Sequence, residues 1–461
     1  MSYLETVKYL GSFINYERIP AYPYKESLKL ERIKGFLDII GNPQGSLKCL
    51  HVAGTKGKGS TCAFIAHISR ESGYKAGLYT SPHLSDFRER IRILSPGPKA
   101  GDQNPDFEGM IPECEVTSLI SRLKPAIEKY NKNSKYGPLS FFEVYTSLAF
   151  VYFKEQKVDF AVLETGLGGR LDATNVVNPY ACVITSLSYE HTQKLGGTLR
   201  AIATEKAGII KKQKAGARGP GPIVISAPQE PEAIEVIRNK CKETGAILYE
   251  VGKHIILQGT GTGFSVKGIF GEYPDLKINL LGSHQLINAA AAVGIIEALR
   301  LHNINVGADS IRRGLYNTVW PGRCEVVSQH PFLVLDGAQN AASAKTLKET
   351  IKDNFSSKGG AFFGKGYKRL ILVLGISSDK DIKGICGELY DLADEVILTK
   401  SHNPRAQEPE ALAGYFNGKD KHMTGSVKEA KALAGRIAGK EDLILVCGSL
   451  FVVGEFRNDK I

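Results

Sequence analysis

Hydrophobic positions along this chain fall into two alternating patterns. Short β-branched and aliphatic runs punctuate longer stretches in which apolar residues recur every three or four positions. The short runs predict strands at Cys49–Ala53, Ala76–Thr80, Val158–Leu163 and Ala181–Leu187, and Phe141–Gln156 has the period and length of an intervening helix. This alternation predicts an α/β fold built on a doubly wound parallel sheet. Two glycine- and proline-rich stretches, Ser95–Glu113 and Lys211–Pro222, read as loops or insertions. From Tyr249 to Leu280 the helical period gives way to short strands with glycine turns, a small β-rich element.

After NTVWPGRCEVV the alternation begins afresh, with strands in PFLVLDG, RLILVLGI, EVILTK and DLILVCGS. A second, smaller Rossmann-like α/β domain is therefore expected, dividing the chain into residues 1–321 and 322–461. A length of 461 residues agrees with two cores rather than one.

Composition narrows the class. Hydrophobic residues make up 43% and charged residues 23%, the balance of a soluble globular protein. The first residues lack an apolar core region, so no signal peptide is expected. The longest apolar stretch, INAAAAVGIIEAL, is too short and too interrupted to cross a bilayer. The eight cysteines stand singly, which disfavours a zinc site or a disulfide scaffold and points to the cytoplasm. A net charge of +11 raises the question of nucleic acid. The lysines are dispersed apart from KKQK, however, which fits a solvated surface that attracts small anions; no nucleic-acid or membrane partner is expected.

Ligands of doubly wound sheets sit beyond the carboxyl ends of the strands, so the residues that follow each strand carry the chemistry. The first strand runs into Gly54-Thr55-Lys56-Gly57-Lys58-Gly59-Ser60-Thr61. Glycines let backbone N–H groups face an anion, the next helix brings its positive end, Lys58 supplies a mobile charge, and Ser60 or Thr61 a hydroxyl for Mg²⁺. The spacing departs from GxxxxGK[ST], and a bare connecting turn is the plain alternative. Ser81, Glu164 and His191 follow the other three strands. Singly, each is unremarkable, and a histidine in such a place is more often structural than a ligand. Together they make an open Mg²⁺ site, with phosphate and water completing an octahedron.

HVAGTKGKGST, TSPHL, ERIRI, VLETGLGGRLDATNVV, EHTQKLG, EKAGIIK, GSHQLINAAAA, WPGR, LDGAQN and GSLFVVGE, in this order, resemble the folylpolyglutamate synthase and dihydrofolate synthase family of the Mur ligases. The resemblance spans nearly the whole chain. It implies an ATP-dependent ligase that joins L-glutamate to a pterin carboxylate, of dihydropteroate, of reduced folates, or of both, through an acyl phosphate. It assigns Gly57, Lys58, Gly59, Ser60, Asn288, Arg323 and Asp336 to ATP. It assigns Ser81, Glu164 and His191 to Mg²⁺, and Lys206, carbamylated in the family, to a second Mg²⁺. Ser140, Phe141, Phe142, Glu143 and Leu171 correspond to the pterin site. Lys58, Lys206, His191 and the position of Gln339 belong to the catalytic set, and a monomer is expected.

Two residues depart from the family pattern. Glu190 stands where aspartate usually precedes the metal histidine, and DGAQN carries Gln339 where the family has histidine. An amide can donate a hydrogen bond but cannot hold a charge or relay a proton. Gln339 thus keeps open a second reading, a nucleotide-binding homologue with impaired catalysis. A ligase of the same superfamily acting on a cell-wall precursor is a third reading, against which LGGRLDATN and SPHL speak.

Overall fold

The structure is a computed structural model that describes residues 1–19, 22–97, 107–212, 221–260, 263–355 and 366–458. The first sheet contains β1 (Cys49–Ala53), β2 (Ala76–Tyr79), β3 (Ile91–Leu94), β4 (Phe160–Glu164), β5 (Ala181–Ile184), β6 (Ile223–Ser226) and β7 (Ile247–Glu250), in the spatial order β3-β2-β4-β1-β5-β6-β7. All its pairings are parallel except β2 with β3. The four strands expected from the sequence are thus the four central neighbours, each ending within three residues of its expected position. The helix expected over Phe141–Gln156 spans Phe141–Glu155.

The antiparallel edge strand β3 and the outer strands β6 and β7 have only four residues each, too short to show a period. Tyr249 belongs to β7, so the β-rich element is narrower than expected. It is the antiparallel sheet of β8 (Ile256–Thr260), β9 (Gly263–Lys267) and β10 (Glu272–Leu276). Of the two expected loops, residues 98–106 and 213–220 lie outside the described residues.

A second large sheet comprises β11 (Glu325–Gln329), β12 (Phe332–Leu335), β13 (Leu370–Leu374), β14 (Glu395–Leu398), β15 (Asp420–Met423) and β16 (Leu443–Cys447), ordered β11-β12-β16-β13-β14-β15. Its interior strands are buried along their whole length in β13, β14 and β16, which is why they read as continuous aliphatic runs. The edge strands β11 and β15 are half-exposed and polar, and the hydrophobic pattern does not reveal them.

The helix after β1, Lys58–Glu71, is buried from Ser60 through Arg70. It is enclosed by the sheet and by helices Ser283–Ala298 and Ala308–Tyr316. Close approach needs small residues: a Cβ on Gly314 would lie 2.4 Å from the Ile68 Cα. The alanine run Ala289–Ala292, fully buried, lines the opposite helix. Each buried Phe64, Ile65 or Ile68 contributes about 1.5–3 kcal/mol. This packing fixes the helix start, and with it the loop before it. The small sheet is tied to the same scaffold through buried Glu297, which accepts from the N–H groups of Ile269 and Phe270 and from the Tyr273 hydroxyl. Among the described residues no helix is long and apolar enough to cross a membrane.

Two histidines are sealed in this core. His67 donates Nδ1–H to the Ala63 carbonyl at 2.9 Å, and burial lowers its pKa to about 3, with Arg92 adding to the effect. His51 lies 2.8 Å from Thr174 Oγ1, whose own proton goes to Asp172. Its Nε2–H therefore donates, and burial, then Lys211, holds its pKa at about 3. Both folded values lie below the unfolded value of about 6.5, so between them the unfolded chain binds the protons and stability falls as pH falls. Each group contributes about 1.4 kcal/mol per pH unit in that window. His67→Asn, whose amide N–H reaches the Nδ1 position and so keeps a donor for Ala63, should lessen the fall in unfolding free energy between pH 5.5 and 4.5 by about that amount, read from urea titrations. An unchanged slope would contradict the assignment.

Candidate active site

Three glycines shape the loop between β1 and its helix. Gly54 has φ +156° and a Cβ there would lie 1.8 Å from Thr185 Oγ1; Gly57 has φ +82° and a Cβ would lie 2.2 Å from Asn288 Oδ1. A Cβ on Gly59 would meet the Trp320 ring at 2.9 Å. The loop is tied to the end of β5, since Thr55 and Lys56 both donate N–H to the Ser186 carbonyl at 3.1 and 3.2 Å. Its helix opens at Lys58, so the N–H groups of Lys58, Gly59 and Ser60 have no intrahelical acceptors. That is an anion cradle. Asn288 donates to buried Gln285 at 2.9 Å and presses its amide against Gly57.

Glu164 ends β4 and Ser81 follows β2, so neighbouring strands bring them together. The Ser81 N–H donates to Glu164 Oε2 at 3.1 Å, and Lys58 Nζ lies 3.9 Å from Oε1. Burial raises the Glu164 pKa, and Lys58 opposes the rise. The hydroxyls of Ser81 and Thr61 are buried without a hydrogen-bond partner among the described residues. Orphaned hydroxyls beside a buried carboxylate suit a hard oxygen-seeking cation. Among the described residues no three His, Cys, Asp or Glu side chains cluster as a metal group by themselves, so any such site draws on hydroxyls or on a modified side chain.

Lys206 ends helix Leu199–Ala207 and is 5% exposed, with Nζ donating to the Gly54 carbonyl at 2.6 Å. Burial, reinforced by Lys58, lowers its pKa to about 7. His191 takes a left-handed backbone, φ 52°, at the start of a short helix. Desolvation by the surrounding protein draws its pKa down to about 4 against the pull of Glu190. Glu190 is held low by His191 and by the lysines at 58, 206 and 380 despite its own burial.

The second sheet closes the crevice. Asn340 donates Nδ2–H to Glu190 Oε1 at 3.3 Å, bridging the loop after β12 to the loop after β5. Asp336 accepts from the N–H groups of Cys324 and Ala338 at 2.7 and 2.8 Å, and a Cβ on Gly337 would lie 2.3 Å from Arg323 Nη1. Asp336 thus braces the turn that carries Arg323, and Arg323 counters the burial that raises the Asp336 pKa. Gln339 is half-buried in this loop, its N–H donating to Ser343 Oγ at 3.1 Å.

The residues assigned to the pterin do not form one cluster. Ser140 caps its helix through a reciprocal box with Glu143, and Glu143 is also paired with buried Arg32 at 2.8 Å. Phe141 stacks on Tyr145, while Phe142 packs against Gly166. Leu171 joins Tyr24, Leu195 and Ile202 on the far side of the same glycine loop. Asp172, which sequence reasoning passed over, organises that loop by accepting from the N–H groups of Gly166, Leu167 and Thr174. The signal was present, since Asp followed two residues later by Thr marks a capped turn. Lys380 and Asn340 were also missed; applying the strand-end rule to the second sheet finds both.

Comparison with known proteins agrees with this geometry. Residues 131–296 match the Mur ligase middle domain and residues 322–450 the Mur ligase glutamate ligase domain. The chain is 33% identical over 435 residues to the dihydrofolate synthase/folylpolyglutamate synthase of Bacillus subtilis, covering 93% of this chain and 94% of that one. The Mycobacterium tuberculosis folylpolyglutamate synthase complexed with ADP and AMPPCP superposes with a TM-score of 0.82 at 28% identity, over 99% of this chain and 97% of that one. Escherichia coli FolC in complex with DHPP and ADP superposes with a TM-score of 0.78 at 30% identity, over 99% and 97%. On these similarities the chain belongs to the folylpolyglutamate synthase/dihydrofolate synthase family of Mur ligases.

Proposed function

We propose that this protein is an ATP-dependent amide ligase that joins L-glutamate to a folate-type carboxylate through an acyl phosphate. One observation carries the reading: a phosphate loop, Lys58, buried Glu164 and buried Lys206 converge at adjacent strand ends, facing a second sheet. The first step brings two anions together, a substrate carboxylate and the ATP γ-phosphate. Lys58 and the N–H groups of Gly57–Ser60 neutralise and orient the phosphates, while Arg323, braced by Asp336, reaches them from the other side. Asn288 holds Gly57 in its left-handed turn. In the second step the amine of glutamate attacks the acyl carbon, and phosphate leaves.

Ser81, Glu164 and His191 would hold Mg²⁺, and a carbamylated Lys206 a second ion. Bound there, Mg²⁺ supplies charge neutralisation for the transferring phosphoryl group. Carbamylation needs a neutral amine, which a lysine pKa of about 7 supports. The pterin is taken by the region of Ser140–Glu143 and Leu171, where Phe142 and Leu171 offer apolar contact on two sides of the glycine loop. We further propose a domain boundary between residues 321 and 322, action as a monomer, and a cytoplasmic location, the last favoured by the free cysteines.

Incubation with ATP, Mg²⁺ and glutamate, with dihydropteroate or tetrahydrofolate as acceptor, should give a product heavier by one glutamyl residue in mass spectrometry. The acceptor consumed assigns the activity, and consumption of neither refutes it. Lys206→Ala should be nearly inactive, with partial rescue by short carboxylic acids; a fully active variant would remove Lys206 from the site.

Gln339 favours a second reading, impaired catalysis, and permits a direct decision. If its amide donates to the transferring phosphoryl group, Gln339→His should retain activity within about tenfold, under about 1.4 kcal/mol. Gln339→Leu, without a donor, should lose roughly 2.7–4 kcal/mol of transition-state stabilisation. A leucine variant as active as the parent makes Gln339 a bystander, and turnover by the histidine variant alone supports impairment.

A further inference from the structure

Behind Ser81 the loop Pro82–Asp86 carries a histidine that the ligase chemistry above does not use. Arg90 Nε donates to His83 Nδ1 at 2.9 Å. A guanidinium never accepts a hydrogen bond, so this contact occupies the Nδ1 lone pair and leaves the ring proton on Nε2. Arg90 cannot turn away: it is 1% exposed, its two terminal nitrogens donate to Glu17 at 2.8 and 2.6 Å, and its guanidinium lies 5.5 Å from the Phe141 ring centroid.

The loop itself is clamped. Glu89 accepts from the N–H groups of Leu84, Ser85 and Asp86 at 2.7, 2.8 and 2.6 Å, and the Leu84 carbonyl packs so closely on Gly454 that a Cβ there would lie 2.0 Å away. His83 lines a small, partly open cavity between the two large sheets, together with Thr80, Trp320, Arg323 and Leu450. Its Nε2 has no partner among the described residues. Arg90, itself buried, occupies the Nδ1 edge, which leaves the Nε2 edge for a molecule in the cavity.

We infer that His83 is a binding residue of the ligase, presenting a fixed Nε2–H to an anionic oxygen of a substrate in this cavity, with Arg90 and Glu17 as positioning residues. The oxygen belongs either to a carboxylate of the incoming glutamate or to the phosphoryl group. Both are anionic acceptors of the same kind, and Arg323, which lines the same cavity, complements either charge. The inference rests on the ligase reading for its substrates, but the tautomer does not.

Two measurements test it on the full chain. Long-range ¹H–¹⁵N NMR of histidine-labelled protein, with His83→Gln to assign the signal, reads the tautomer whether or not the protein turns over. The Nε2–H form is expected, and Glu17→Gln should loosen it toward a mixture; a ring protonated at Nδ1 overturns the inference. Steady-state kinetics then compares three variants at matched melting temperature. Glutamine places an amide N–H close to the Nε2 position, asparagine reaches only to Nδ1, and alanine reaches neither.

His83→Gln should stay within about threefold of the parent, while His83→Asn and His83→Ala raise one KM by about tenfold or more. A rise for glutamate identifies its carboxylate, and a rise for ATP the phosphoryl oxygen. Equal losses in all three variants, or none in alanine, overturn the donor role. A parent that ligates nothing refutes the proposed function instead; ATP and glutamate affinities of the asparagine and glutamine variants then decide the donor, equal affinities for both ligands overturning it.

Discussion

The lysines at 58 and 206 meet the carboxylates of Glu164 and Glu190 where β1, β4 and β5 end, and most of the site follows from how these groups compensate one another. Lys206 donates to the Gly54 carbonyl from a position 5% exposed, and Lys58 lies 3.9 Å from Glu164. Charges removed from water are costly unless compensated. The field of Lys58 and burial together lower the Lys206 pKa, and the same burial raises that of Glu164. A loop with unengaged N–H groups beside two lysines is stabilised by an anion, and a phosphate is such an anion.

Everything around the crevice holds that arrangement still. The helix behind the loop is enclosed on all sides, so the loop cannot relax away from its ligand. Asp172 pins the glycine loop after β4, and Asp336 pins the turn carrying Arg323. The hydrogen bond from Asn340 to Glu190 joins the loop after β12 to the loop after β5, across the two sheets. Preorganised donors of this kind stabilise developing charge without reorganising during the reaction.

Much of this was legible in the sequence because its physical causes are local. Continuous aliphatic runs betray buried parallel strands, and glycines before a helix betray a phosphate loop. The edge strands β11 and β15 were not legible, since a four- or five-residue strand half in water carries no distinctive pattern, and β3, though buried, is only four residues long. SFFE shows a different difficulty. Its Ser140 and Glu143 are at once a helix capping box, which S-x-x-E before an apolar run signals, and, by resemblance, part of a substrate site, and only the structure reveals that Glu143 also pairs with Arg32. The tautomer of His83 depends on Arg90, seven residues away across a turn, and on Glu17 from the first residues of the chain; no periodicity encodes that meeting.

The central claim is that the crevice joins a carboxylate to a phosphoryl group before the amine arrives. Transfer of isotope tests it most directly. With the acceptor carboxylate labelled with ¹⁸O, an acyl phosphate passes one labelled oxygen to the phosphate released as the amide forms. The account predicts labelled inorganic phosphate in step with product. Product formed alongside unlabelled phosphate would contradict it.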